Sequence, residues 1–157
     1  MKLLFHQRFF SWFDRYDIFY ETGNTAYTVQ GKLSWGHLLH ISDQNGEHIA
    51  TVQQKVLTFL PKFFLYEGDL EIGMIRRELS FFHPRYSIDG LGWNIEGDWL
   101  GWNYSIVDES GAVVAEIGKE IWHMTDTYVI DVPDPKNALR ALMVVLAIDA
   151  DKCSNNS

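Results

Sequence analysis

The feature that most constrains this chain is an internal repeat. A large side chain, one spacer and a branched aliphatic residue recur as Tyr16-Asp17-Ile18, Leu39-His40-Ile41, Phe63-Phe64-Leu65, Tyr86-Ser87-Ile88, Tyr104-Ser105-Ile106 and Tyr128-Val129-Ile130. The aliphatic members of the first four stand 23, 24 and 23 residues apart. Side chains alternate along an extended backbone, so the two apolar residues of each triplet share one face of a strand. Turn residues follow at Glu21-Thr22-Gly23-Asn24, Asp43-Gln44-Asn45-Gly46, Glu67-Gly68-Asp69 and Asp108-Glu109-Ser110-Gly111. Another β-rich run comes after each, and alternation on both sides of a Gly-containing turn marks a hairpin. The links repeat as well: Leu60-Pro61-Lys62-Phe63 answers to His83-Pro84-Arg85-Tyr86. A proline at the start of a strand forfeits no ladder hydrogen bond.

Counting along the chain predicts one strand near 3–10, ten in five hairpins, and a last near 127–132. The fourth hairpin is irregular, with Gly90, Gly92, Gly97 and Gly101 around Trp93, Trp99 and Trp102. Glycines there suit bulges or corners. One helix closes the pattern. Asp134 is a good N-cap and Pro135 fits the first helical position, where a missing N–H costs nothing. Beyond them Leu139, Leu142, Met143, Val144, Val145, Leu146, Ala147 and Ile148 cover the whole circumference. A helix apolar on every side must be surrounded by protein. The expected fold is therefore mainly β: a closed antiparallel barrel of about twelve strands, built from repeated hairpins and enclosing a C-terminal hydrophobic helix over about 135–149. Closure also removes the edges a long antiparallel sheet must otherwise protect.

The 157 residues suit one domain, read as residues 1–151 with a polar tail, 152–157, in which Cys153 is expected to be exposed. A single cysteine excludes a disulfide framework and a multi-cysteine zinc site. A net charge of −8 argues against nucleic acid, whose affinity comes from neutralised phosphates. That charge is uneven: residues 1–85 are neutral overall, and the whole −8 falls in 86–157. His6, Gln7 and Arg8 interrupt the apolar start before it reaches signal-peptide length. The longest apolar run, Ala138 to Ala150, is too short for a membrane span. The chain is expected in the cytoplasm, without a transmembrane segment.

Several stretches in this order resemble the LURP-one-related family, in particular its short bacterial members, within the tubby C-terminal-like superfamily that includes phospholipid scramblases. They are Phe9-Phe10-Ser11, Lys55-Val56-Leu57, Leu60-Pro61-Lys62, Phe82-His83-Pro84-Arg85-Tyr86, Trp93-Asn94-Ile95-Glu96-Gly97-Asp98-Trp99, Tyr104-Ser105-Ile106 and Val144-Val145-Leu146-Ala147-Ile148-Asp149-Ala150. The resemblance spans the chain and implies a twelve-stranded barrel threaded by its C-terminal helix. It also implies a binding or scaffolding module, with a protein partner or phospholipid headgroups as the ligand. Tubby domains hold headgroups with a Lys-x-Arg pair on a strand, and no two basic residues here are separated by one position. A protein partner is accordingly expected ahead of lipid.

The candidates for a headgroup are Lys62, Arg76, Arg77 and Arg85, with Lys62 and Arg85 at equivalent places in successive repeats. Trp93, Trp99 and Trp102 are candidates for an exposed aromatic patch, which marks a partner site. Trp12, Trp35 and Trp122, in links before strands, are read as packing residues. No catalytic residue, cofactor or metal is expected. Glu96 and Asp98, alternate residues that could split their pKa values as acid and base, form the alternative of a small enzyme site at the barrel rim. His37 and His40 have metal-pair spacing, but residues three apart on a strand face opposite ways.

Overall fold

A computed structural model describes residues 1–6, 15–32, 34–80, 85–98, 101–122 and 125–155. Twelve strands are formed: β1 (Lys2–His6), β2 (Arg15–Tyr20), β3 (Thr25–Gly31), β4 (Leu38–Ser42), β5 (His48–Lys55) and β6 (Lys62–Glu67), then β7 (Leu70–Glu78), β8 (Arg85–Asp89), β9 (Trp93–Asp98), β10 (Asn103–Asp108), β11 (Val113–Trp122) and β12 (Thr125–Asp131). Each pairs antiparallel with its sequence neighbours, and β1 pairs with β12, so the sheet closes into a barrel. A short 3-10 turn, Pro135–Asn137, leads into helix α1 (Ala138–Asn155).

The repeated triplet is the wall of the core. Ile18, Ile41, Leu65, Ile106 and Ile130 have no exposed surface, while Ile88 is only partly buried. Register explains how a helix fits inside. Ile41 lies opposite Ala50, Leu65 opposite Gly73, and Ile106 opposite Ala115. The larger pairs Leu39 with Val52, Phe63 with Ile75 and Tyr104 with Ile117 lie next to them. Alternating small with large lets a narrow barrel taper around its contents. Gly73 has a second reason to lack a side chain: a Cβ there would meet the Asp89 carbonyl oxygen at 2.7 Å.

The turns between β2 and β3, β4 and β5, and β10 and β11 are closed by bonds from the N–H of Gly23, Gly46 and Gly111 to the carbonyls of Tyr20, Asp43 and Asp108. Asp43 and Asp108 use the same device. Each carboxylate accepts from the backbone two and four residues on, at 2.9 and 3.0 Å in both turns. These tight turns occupy one end of the barrel, and the longer connections occupy the other, here called the mouth. The helix starts at the tight-turn end, where the Asp134 carboxylate caps it by accepting from Lys136 N at 3.1 Å. There the Arg140 guanidinium bonds Glu67 at 2.7 and 3.2 Å. Leu142, Met143, Val144, Val145, Leu146 and Ile148 are then buried all round. At about 1.5–3 kcal/mol each, these six contribute on the order of 10–20 kcal/mol before conformational entropy.

The helix does not stop near 149 as expected. It continues to Asn155, so residues 152–155 of the expected polar tail form its last turn, with Cys153 half-buried. The reason is that Asp151 and Ser154 find partners in the mouth, described below.

Candidate interaction surface at the barrel mouth

Five of the eight exposed large apolar residues among those described lie in the mouth connections: Trp35, Val56, Leu57, Phe59 and Leu79. The link from β3 to β4 and the link from β5 to β6 run side by side. His37 N donates to Gln54 Oε1 at 3.1 Å, and Gln54 N donates to the His37 carbonyl at 2.7 Å. Gly36, at φ +105°, permits the approach, since a Cβ there would meet Val56 Cγ1 at 2.8 Å. Trp35 is thereby held out at 89% exposure, contrary to its reading as a packing residue, with Leu57 at 103% and Phe59 at 91% beside it. Leu57 also adopts φ +61°. A left-handed conformation costs a non-glycine residue roughly 1–2 kcal/mol, and full exposure of its side chain returns nothing within the isolated chain. The Thr58 hydroxyl fixes this loop by donating to the Leu60 carbonyl at 2.7 Å.

Beneath these tips, register sorts the four basic candidates. Lys62 is the direct cross-strand partner of Arg76 on one side and of Lys55, outside the four candidates, on the other. All three alternate with core residues Val52, Phe63 and Ile75, so they share the outer face. Arg85 stands opposite Glu78, whose carboxylate also accepts the Ser87 hydroxyl. Arg77, next to Arg76, faces inward and does not join the basic group. Its guanidinium grips the buried Asp151 carboxylate at 2.9 and 2.7 Å, and the Tyr86 hydroxyl donates to the same carboxylate.

This inward cluster ties the last helical turn to the wall. His37 Nε2 meets Ser154 Oγ at 2.6 Å, and that hydroxyl donates to the Ala150 carbonyl at 3.0 Å, so the imidazole N–H donates to serine. Burial lowers the His37 pKa against the pull of Asp151. Burial likewise pushes the Asp149 carboxyl up to about 6, Lys152 down to about 8 and the Cys153 thiol up to about 12. Lys152 Nζ sits 4.3 Å from the Trp102 ring centre.

The expected aromatic patch is not formed by its described members. Trp93 and Trp102 are each only 8% exposed, and Trp102 packs on Tyr128 with ring centres 4.0 Å apart. Trp93 faces inward by alternation with Ile95, which lies opposite buried Ile106 in an unbroken register, and Trp102 sits in the turn before β10 with φ +58°. Trp99 and Trp12 lie outside the described residues. Glu96 and Asp98 are both exposed, and Asp98 is engaged in accepting from Gly101 N at 3.0 Å. The histidine pair is split: His37 serves the helix end, and His40 stacks on His48 with ring centres 4.1 Å apart. A surface recess of about 370 Å³ lies apart from all of these, lined by His6, Arg15, Tyr16, Asp17 and Phe19.

A closed twelve-stranded antiparallel barrel filled by its own C-terminal helix defines the class of this protein. The chain belongs to the LURP-one-related family, whose sequence profile it matches over residues 1–151. It is 23% identical over 150 residues to the uncharacterized protein YxjI of Bacillus subtilis (strain 168), covering 95% of this chain and 92% of that one. A crystal structure of an Arabidopsis thaliana protein superposes with a TM-score of 0.65 at 16% identity, over 94% of this chain and 89% of the other. No helix among the described residues is long and apolar enough to cross a membrane.

Proposed function

We propose that the protein is a non-catalytic docking module that seats its mouth on an anionic membrane surface. The observation that carries this reading is the placement of Trp35, Leu57 and Phe59, nearly fully exposed on adjacent loops, above the cations Lys55, Lys62 and Arg76. Such exposure means the three side chains scarcely touch one another. They protrude separately, a shape suited to entering a headgroup layer, whereas the core of a protein interface is closely packed. Transfer of the three from water contributes up to about 5–9 kcal/mol at ~1.5–3 kcal/mol each. The three cations add about 1 kcal/mol each near an anionic surface. The apolar contribution, absent from the sequence reading, moves the balance from a protein partner to lipid. The non-catalytic part rests on the filled barrel interior and on the exposed positions of Glu96 and Asp98.

Flotation with phosphatidylcholine vesicles, with and without phosphatidylglycerol, at low and physiological salt tests it. Binding is expected to require the anionic lipid, to weaken with salt as screening grows, and to fall at least tenfold in Trp35→Ser or Phe59→Ser. No binding at low salt refutes the lipid reading and leaves the mouth as a surface for a protein partner.

A further inference from the structure

Building on that membrane reading, we propose that the row Lys55–Lys62–Arg76 is a binding site for a phosphate dianion, as carried by a phosphomonoester headgroup or by free phosphate. Lys62 is the direct partner of both other cations, on three successive strands. Neighbouring strands lie about 4.8 Å apart, which places the three Cα atoms within roughly 10 Å. Like charges directly opposite one another destabilise a sheet, so this row works against the fold unless an anion joins it. β7 and β8 avoid the conflict two residues further along, where Glu78 stands opposite Arg85.

Two acids border the row, both at its Arg76 end: Asp89, and Glu78, which lies on the outer face two residues beyond Arg76 with its carboxylate accepting the hydroxyl of Ser87, the cross-strand partner of Arg76. Arg76 Nε lies 3.8 Å from Asp89 Oδ2, an exposed and long contact, and neither Lys55 nor Lys62 has an ion-pair partner among the described residues. The row continues through Ser87 and Asn94, so five consecutive register positions hold no acid. Lys55 Nζ lies 5.8 Å from the Phe64 ring centre, over an outward-facing aromatic between the strands. A phosphomonoester brings nearly two charges and three free acceptor oxygens, enough to accept from all three cations at once. A phosphodiester brings one charge and two free oxygens, and it fits the row less well.

Two measurements on the full chain separate the sources. The first titrates inorganic phosphate at pH 7.5 against chloride at constant ionic strength and follows backbone amide shifts by NMR. Saturable shifts confined to residues around 55, 62 and 76, lost in Lys62→Gln, are expected. The second compares flotation on vesicles of matched surface charge made with phosphatidic acid or with phosphatidylglycerol. At least a fivefold preference for phosphatidic acid is expected, falling toward unity in Lys62→Gln, with each lost cation weakening binding about fivefold. Phosphate shifts without a headgroup preference support the site and assign it to free phosphate. No shift beyond chloride, together with equal binding to both vesicles, overturns the site. The membrane reading fails independently, if Trp35→Ser leaves flotation unchanged. Lys62→Gln is expected to melt at or above the native chain, so a lost signal reads lost binding and not unfolding.

Discussion

Replacing Asp149 by asparagine keeps the shape of a buried side chain on α1 and deletes its charge. The carboxyl sits where the last turns of α1 meet β10. Buried Tyr104 lies on one side, with Lys152 and Cys153 on its own helix, and among the described residues its one hydrogen bond is accepted from Cys153 Sγ at 3.9 Å. Burial raises its pKa from 3.8 to about 6, with Lys152 and the Cys153 contact pulling the other way. A rise of about two units corresponds to roughly 3 kcal/mol of differential interaction. Because the folded-state value lies above the unfolded one, stability from the neutral acid is fully present below about pH 4. It is lost as the pH rises toward about 6. Asparagine carries no such loss, but it withdraws the carboxylate that favours the Lys152 ammonium, whose pKa burial already lowers to about 8. The net gain for Asp149→Asn is thus about 1–2 kcal/mol at pH 8, or roughly 3–6 °C at this chain length, and close to zero at pH 4. Thermal melts of both proteins from pH 4 to 8 give the difference directly, since every other acid is common to both. A constant offset across that range, or a less stable variant at pH 8, refutes the argument.

Three further outcomes are expected. Arg77→Ala strands a fully buried carboxylate and should cost about 3–5 kcal/mol; Arg77→Ala with Asp151→Ala should cost less than the sum of the two singly, as urea unfolding in a double-mutant cycle reads out. Removing residues 138–157 takes away the core, a loss far beyond the 2–5 kcal/mol of one large-to-small substitution, and calorimetry should find no cooperative transition. Cys153, its thiol pushed up to about 12, should react with a neutral thiol reagent at pH 8 at least 100-fold more slowly in the folded chain than in denaturant, followed by absorbance.

By itself the sequence determined the barrel, because strand identity here is a matter of local alternation. The triplets repeat every 23–24 residues, glycine-bearing turns separate them, and Asp134-Pro135 opens a helix with no polar face. Each of these is settled by neighbours within a few positions, and a helix apolar all round leaves a sheet no arrangement but to enclose it. The tertiary structure decided everything that depends on which way one residue of a pair points. Arg76 and Arg77 are adjacent and equally basic. Only the register with β6 and β8 makes the first part of an outer row and the second a buried partner of Asp151, 74 residues away. Lys62 and Arg85 look equivalent because each begins a strand, yet one meets two cations across the sheet and the other meets Glu78. The tryptophans exchanged roles for a similar reason. Gly36 presses its loop against Val56 and leaves Trp35 outside, while Trp93 faces the core from an unbroken register with β10 and Trp102 packs on Tyr128. The helix runs to Asn155 because Asp151 and Ser154 are held by Arg77, Tyr86 and His37 from distant strands. Strand and helix are short-range properties of the chain, whereas the mouth is assembled from residues that meet only once the barrel has closed.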